Sequence, residues 1–111
     1  MAGRPGRIRA RALLQSDGVC EIKALMRHPM ETGQRKDEAG NAIPAHFITE
    51  VKASVGDRVL MQSFWGAAVS QNPSIGFRAT GLNEGDQVAV EWTDNKGGRG
   101  EGKAKVQLAD D

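Results

Sequence analysis

Five residues with metal-binding or nucleophilic side chains lie close together in the sequence: Cys20, Met26, His28, Met30 and His46. Two histidines, one cysteine and a more distant methionine are the ligand types of a blue-copper centre. The spacing argues against one. Such centres draw Cys, one His and Met from a single tight loop, whereas Cys20 falls within an alternating, strand-like segment. Iron-based superoxide reduction would need more histidines than the two present. As a nucleophile Cys20 fares no better, because Ile22, Ala24 and Met26 share its face, and a thiol on an apolar face is a small buried hydrophobe with a raised pKa. Ser16, Ser54, Ser63, Ser70 and Ser74 all lie outside a G-x-S-x-G context. His28, beside Pro29, reads as a turn-flanking hydrogen-bonding residue. The chain therefore reads as a non-enzyme, with no catalytic residue, no metal site and no cofactor assigned.

The elements that would position these residues are strands. Ile8, Ala10, Ala12 and Leu14 alternate with Arg7, Arg9 and Arg11, and Cys20, Ile22, Ala24 and Met26 with Glu21, Lys23, Leu25 and Arg27. Phe47, Thr49, Val51, Ala53 and Val55 form one face of a third segment. A Gly56-Asp57 turn then leads to Val59, Met61 and Trp65 as its hairpin partner. A short strand from Phe77 to Thr80 follows Asn72-Pro73, and Asn83-Glu84-Gly85-Asp86 turns into Val88, Val90 and Trp92. The last hairpin turns at residues 94–98, and its return strand carries Ala104, Val106 and Leu108. Gly100 and Gly102 near its start predict fraying or a bulge. About seven short strands at such spacing predict an all-β, antiparallel sandwich of immunoglobulin or fibronectin type. The 111 residues fit one domain, 1–111. With a single cysteine there is no internal disulfide, so packing alone must hold the sandwich together.

Composition excludes several partner classes. Fifteen basic residues face 14 acidic ones, which favours neither nucleic acid nor an anionic membrane. Three Phe, two Trp and no Tyr leave little for base stacking. No stretch approaches the roughly 20 apolar residues of a membrane span, and no signal peptide is visible. Arg4, Arg7, Arg9 and Arg11 read as one strand face that keeps a sheet edge soluble. Leu25, Ile48, Leu60 and Phe64 fall opposite the proposed core, and as one outward apolar patch they would be covered by a second protein.

The connection at residues 28–48, HPMETGQRKDEAGNAIPAHFI, is far longer than the roughly 2 to 5 residues that usually join strands, which points to function or a partner contact. Its His28-Pro29-Met30-Glu31-Thr32-Gly33-Gln34-Arg35-Lys36-Asp37 run, with Gly40, Ile43-Pro44 and Phe47-Ile48, resembles the SoxZ family. Ala68-Val69-Ser70-Gln71-Asn72-Pro73, Phe77, Gly85, Trp92 and Asp94 continue in similar order. The resemblance implies a non-catalytic subunit of the SoxYZ carrier of thiosulfate oxidation. Its SoxY partner bears sulfur intermediates on a cysteine in a Gly-Gly-Cys-Gly-Gly tail. It also implies a periplasmic location, reached by export with SoxY, and indirect dealings with other Sox enzymes. Leu25, Ile48, Leu60 and Phe64 are then the expected partner contacts, with Met30, Arg35 and Lys36 on a loop facing the carrier arm or a visiting enzyme. A generic sandwich binding module and a metal-dependent redox protein are the competing classes.

Overall fold

The structure, a computed structural model, describes residues 8–109. Eight strands form two four-stranded sheets. The strands are β1 (Ile8–Leu14), β2 (Cys20–Met26), β3 (Ile48–Val55), β4 (Arg58–Phe64), β5 (Ser74–Ala79), β6 (Gln87–Asp94), β7 (Arg99–Lys105) and β8 (Gln107–Leu108). One sheet has the order β5-β2-β1-β8 and the other β4-β3-β6-β7. Every ladder is antiparallel except the short one joining Leu13 and Leu14 of β1 to Gln107 and Leu108 of β8. The all-β reading holds, and two sheets sharing one core are consistent with a sandwich. Ile22 and Met26 come from one sheet, and Ile48, Val51, Val88 and Val90 from the other. All six are fully buried in a single cluster. Burying each side chain of this size stabilises the fold by about 1.5–3 kcal/mol.

The eighth strand arises because the return strand changes sheets. β7 pairs with β6, Val106 is buried at the crossover, and β8 joins β1. The Val106 backbone is pinned on both sides there. Its N–H donates to the Asp86 carbonyl at 2.7 Å and its carbonyl accepts from Gly85 N–H at 2.9 Å. Leu108, on the core side of the sequence alternation, is 58% exposed as a result.

Period-two counting also fails at two irregularities in β3. Its register to β6 shifts between Ile48 and Glu50, so that Ile48 and Val51, three residues apart, both face inward with no exposure. Its register to β4 shifts between Ala53 and Ser54, and the extra residue on the facing strand is Leu60, which packs against the core beside Met61. A bulge lets two residues of one strand oppose one of its partner, which reverses the inside–outside assignment downstream. Ile48 is thus a core residue and Leu60 a half-buried one packed against the core, and the expected outward patch loses both.

The glycines of β7 have a different role from the fraying expected of them. β7 keeps continuous register with β6 from Gln87↔Lys105 to Thr93↔Arg99. A Cβ at Gly102 would lie 2.8 Å from Ile8 Cβ and closer still to the Ile8 carbonyl oxygen. The glycine therefore lets β1 of one sheet cross β7 of the other at backbone contact. Arg9 and Arg11 are exposed, but β1 is an inner strand, flanked by β2 along its length and by β8 at its end. Arg4 and Arg7 lie outside the described residues.

Candidate functional site

The long connection is an irregular ribbon rather than an open loop. Glu31 and His46 exchange backbone hydrogen bonds at 2.7 and 2.9 Å, Ile43 N–H donates to the Arg35 carbonyl at 2.8 Å, and Asp37 N–H to Asn41 at 2.9 Å. Its base is fixed to the rest of the fold by the hairpin turn at the end of β6. Asn95 accepts from Phe47 N–H at 2.8 Å and donates through its side-chain amide to the Ala45 carbonyl at 2.9 Å. On the other side, Asn72 accepts from His28 N–H at 3.0 Å and its own N–H returns a bond to the His28 carbonyl.

At the centre of this base is Asp94, whose side chain is 2% exposed. One carboxylate oxygen accepts from the backbone N–H groups of Lys96, at 3.0 Å, and Gly98, at 2.6 Å. The other accepts from Nε2 of His28 at 3.0 Å and Nε2 of His46 at 2.7 Å. The two rings stand edge to face, 4.5 Å between centroids, and Trp92 closes the far side of His28 in a second edge-to-face contact at 4.9 Å. The turn admits this carboxylate only because residue 98 lacks a side chain, since a Cβ there would meet it at 2.6 Å. Burial raises the Asp94 pKa, but the bonds from His28, Gly98 N–H, His46 and Lys96 N–H outweigh it and hold the carboxyl at about 2.

Two histidines and a carboxylate within 4.8 Å of one another form a ligand set for a cation. The proton inventory opposes that use. Met30 N–H donates to His28 Nδ1 at 3.0 Å, so the neutral ring carries its proton on Nε2 and gives it to Asp94. A metal on Nε2 would move the proton to Nδ1 and set it against the Met30 N–H. Cys20 cannot contribute either. It is buried at the opposite end of β2 from Met26, roughly 20 Å away at strand rise, where desolvation raises its pKa. The arrangement is a structural clasp that closes the ribbon onto the β6–β7 turn.

The clasp gives the fold a defined response to acid. His28 is pushed below its ordinary pKa first by burial and also by the nearby His46, against the opposing pull of Asp94. The unfolded chain thus takes up this proton more readily than the folded one, and the associated stability is complete above about pH 6.5 and lost as pH falls through the folded value. Asp94 acts in the same direction at lower pH, from about 3.8 down to about 2. The His28 contribution occupies the window that opens just below about pH 6.5. The melting temperature is expected to fall across that window, and a flat profile in thermal unfolding would contradict a neutral His28.

The residues named from sequence are dispersed. Phe64 is 77% exposed on β4, and Leu25 is 44% exposed on the outer face of the other sheet, so they are not strand neighbours. Ile48 belongs to the core, and Leu60 is half-buried against it. Met30 does not face outward on the loop: it is buried in a left-handed conformation (φ 49°), and its sulfur accepts from Ile48 N–H at 3.4 Å. Arg35 and Lys36 are exposed, and Arg35 is engaged by Glu31 through a two-pronged ion pair at 2.5 and 2.9 Å. Asp94 was legible only as a turn residue. The available signal was that both histidines of the chain bracket the long connection, and that Asp94 precedes Gly97-Gly98 in a turn.

The fold and the clasp define a class, the all-β domains that carry a long connection on a frame of two sheets. Comparison with protein families identifies which one: the model described as sulphur oxidation protein SoxZ matches residues 8–105. The chain belongs to the SoxZ family, the non-catalytic subunits that pair with SoxY in the sulfur carrier of thiosulfate oxidation. No curated protein matches the chain closely enough to be compared with it. Among the described residues no helix is long and apolar enough to cross a membrane.

Proposed function

We propose that the chain acts as a single immunoglobulin- or fibronectin-like domain, forms a heterodimer with SoxY, and is exported with it to the periplasm, where the SoxY arm visits the other Sox enzymes. Family membership supports the partnership, and the observation that supports its location is the outer side of β4. β4 is an edge strand. It carries Phe64 at 77% exposure at one end and Val59 at 51% toward the other, an aromatic anchor and an aliphatic side chain that a solitary domain would not need on its rim. Leu25 is the second proposed contact, and because it lies on the other sheet it requires a partner that reaches round the domain. Arg35 and Lys36, near the tip of the ribbon, are proposed to face the arm or a visiting enzyme and not the SoxY interface.

Truncating an aromatic anchor at the centre of an interface typically costs 2 kcal/mol or more, roughly a thirtyfold loss of affinity. Phe64→Asp is expected to weaken capture of SoxY by at least that factor in a titrated pull-down, while Arg35→Ala/Lys36→Ala retains it. Undiminished capture by Phe64→Asp would remove β4 from the contact.

A further inference from the structure

The outer face of the β5-β2-β1 sheet has a charge arrangement that the partnership does not account for. Arg11 on β1 and Lys23 on β2 are directly opposite each other in the ladder, and Arg9 follows on the same face, opposite Leu25. All three cations are exposed. Like charges placed directly across a sheet repel, so sequences avoid them unless something neutralises the pair. None of the three makes an ion pair among the described residues. Glu21, two residues before Lys23 on β2, is engaged by Arg78 of β5 at 3.5 Å.

The neighbouring position provides room for a ligand. Lys23 is flanked on its other side by Gly76 of β5, which has no side chain to cover it. Together these residues line an open groove of about 870 Å³ across β1, β2 and β5, to which Lys103 of β7 and the apolar Leu25 also contribute. Facing side chains across a ladder stand about 5 Å apart and those two residues along a strand about 7 Å. A single small dianion can therefore be reached by Arg11 and Lys23 at once, the arginine through its two-pronged donor face and the lysine as a point charge.

We propose that this face is a binding site for a tetrahedral sulfur oxyanion, thiosulfate or the sulfonate end of a carried intermediate, held between Arg11 and Lys23 with Arg9 and Lys103 supplying the surrounding field. The choice of sulfur oxyanion rests on the thiosulfate-oxidation role, whereas the site itself rests on the cation pair and the open position beside it. The site is separate from Arg35, whose charge is already answered by Glu31, and from β4; it shares only Leu25 with the proposed SoxY contacts, so the Phe64 assignment does not depend on it.

The test is an NMR titration of the full ¹⁵N-labelled chain with sodium thiosulfate and, separately, sodium sulfate, at ionic strength held constant with sodium chloride. Saturable shifts confined to the amides around Arg11, Lys23 and Gly76 are expected. Arg11→Gln/Lys23→Gln should weaken that binding by roughly tenfold or more. Melting curves give an independent readout: thiosulfate should raise the melting temperature of the wild type above the chloride control and leave the double variant unchanged. Without anion the double variant should melt no lower than the wild type, because it relieves the repulsion. Shifts linear in salt and equal to those in chloride, or saturable shifts centred elsewhere, would overturn the proposal. The contribution of Phe64 to SoxY capture, read in the pull-down, would stand regardless. To separate the two sources, the labelled chain is compared in complex with SoxY whose tail cysteine is free or carries a thiosulfonate. Shifts at the same amides on loading support the carried form, and shifts seen with free thiosulfate alone support the free anion.

Discussion

Replacing Asp94 with alanine is expected to lower the free energy of unfolding by about 3–5 kcal/mol and the melting temperature by roughly 10–20 °C. The carboxylate is buried and accepts four hydrogen bonds, two from backbone N–H groups of its own turn and two from His28 and His46. Removing it leaves the buried His28 N–H and two backbone donors without an acceptor, each a desolvation cost of about 1–3 kcal/mol where water cannot enter. Against a total stability of about 5–15 kcal/mol for a domain of this kind, the loss is a large fraction. Asp94→Asn separates charge from hydrogen bonding. Its one amide oxygen can serve either the histidine pair or the backbone pair, while its NH₂ confronts donors on the other side, so it too is expected to destabilise. Chemical denaturation measures the total. Hydrogen exchange locates it, because the Glu31 and His46 amides that zip the ribbon should exchange faster before the core strands do. A loss under 1 kcal/mol for Asp94→Ala would show that the clasp contributes little.

The same residues show what could be read from sequence and what could not. The strands were legible because one buried face imposes period two, and Val88, Val90 and Trp92 or Cys20, Ile22, Ala24 and Met26 follow it without interruption. The hairpins at Gly56-Asp57 and at residues 94–98 were legible from turn chemistry. Ile48 and Leu60 were misplaced because a bulge adds a residue without any marker in composition. Met30 was misplaced because a left-handed turn, stabilised by His28 Nδ1 and rare for a side-chain-bearing residue, returns the chain to the core. The clasp joins positions 66 and 48 residues apart. No local pattern connects them, and only the pairing of β3 with β6 brings the ends of the long connection to the turn that holds them. The opposed cations Arg11 and Lys23 needed the β1–β2 register before their proximity meant anything.

Gly102→Ala is expected to destabilise by about 1–3 kcal/mol although it adds a single methyl group, and Gly102→Val by more. In an ordinary exposed strand position the same change would be favourable, because alanine loses less backbone entropy than glycine on folding. Here the methyl meets the backbone of Ile8, whose carbonyl carbon would be 2.9 Å away and whose Cβ would be 2.8 Å away. A flexible side-chain end could swing aside. A main-chain carbonyl cannot, since Ile8 stands in the β1–β2 register opposite Met26 and its side chain is buried. Relief therefore requires β1 to move away from β7, which opens the junction where one sheet crosses the other and uncovers Ile8 and Ala104. Gly66→Ala is the control, because a Cβ there meets nothing within 4 Å, and it should melt within a degree or two of the wild type. Equal melting temperatures for Gly102→Ala and Gly66→Ala would mean that the sheets are free to slide at this corner. The cationic face on β1 would then have no fixed geometry relative to Lys103 on β7, because the close crossing at Ile8 and Gly102 is what sets the distance between them.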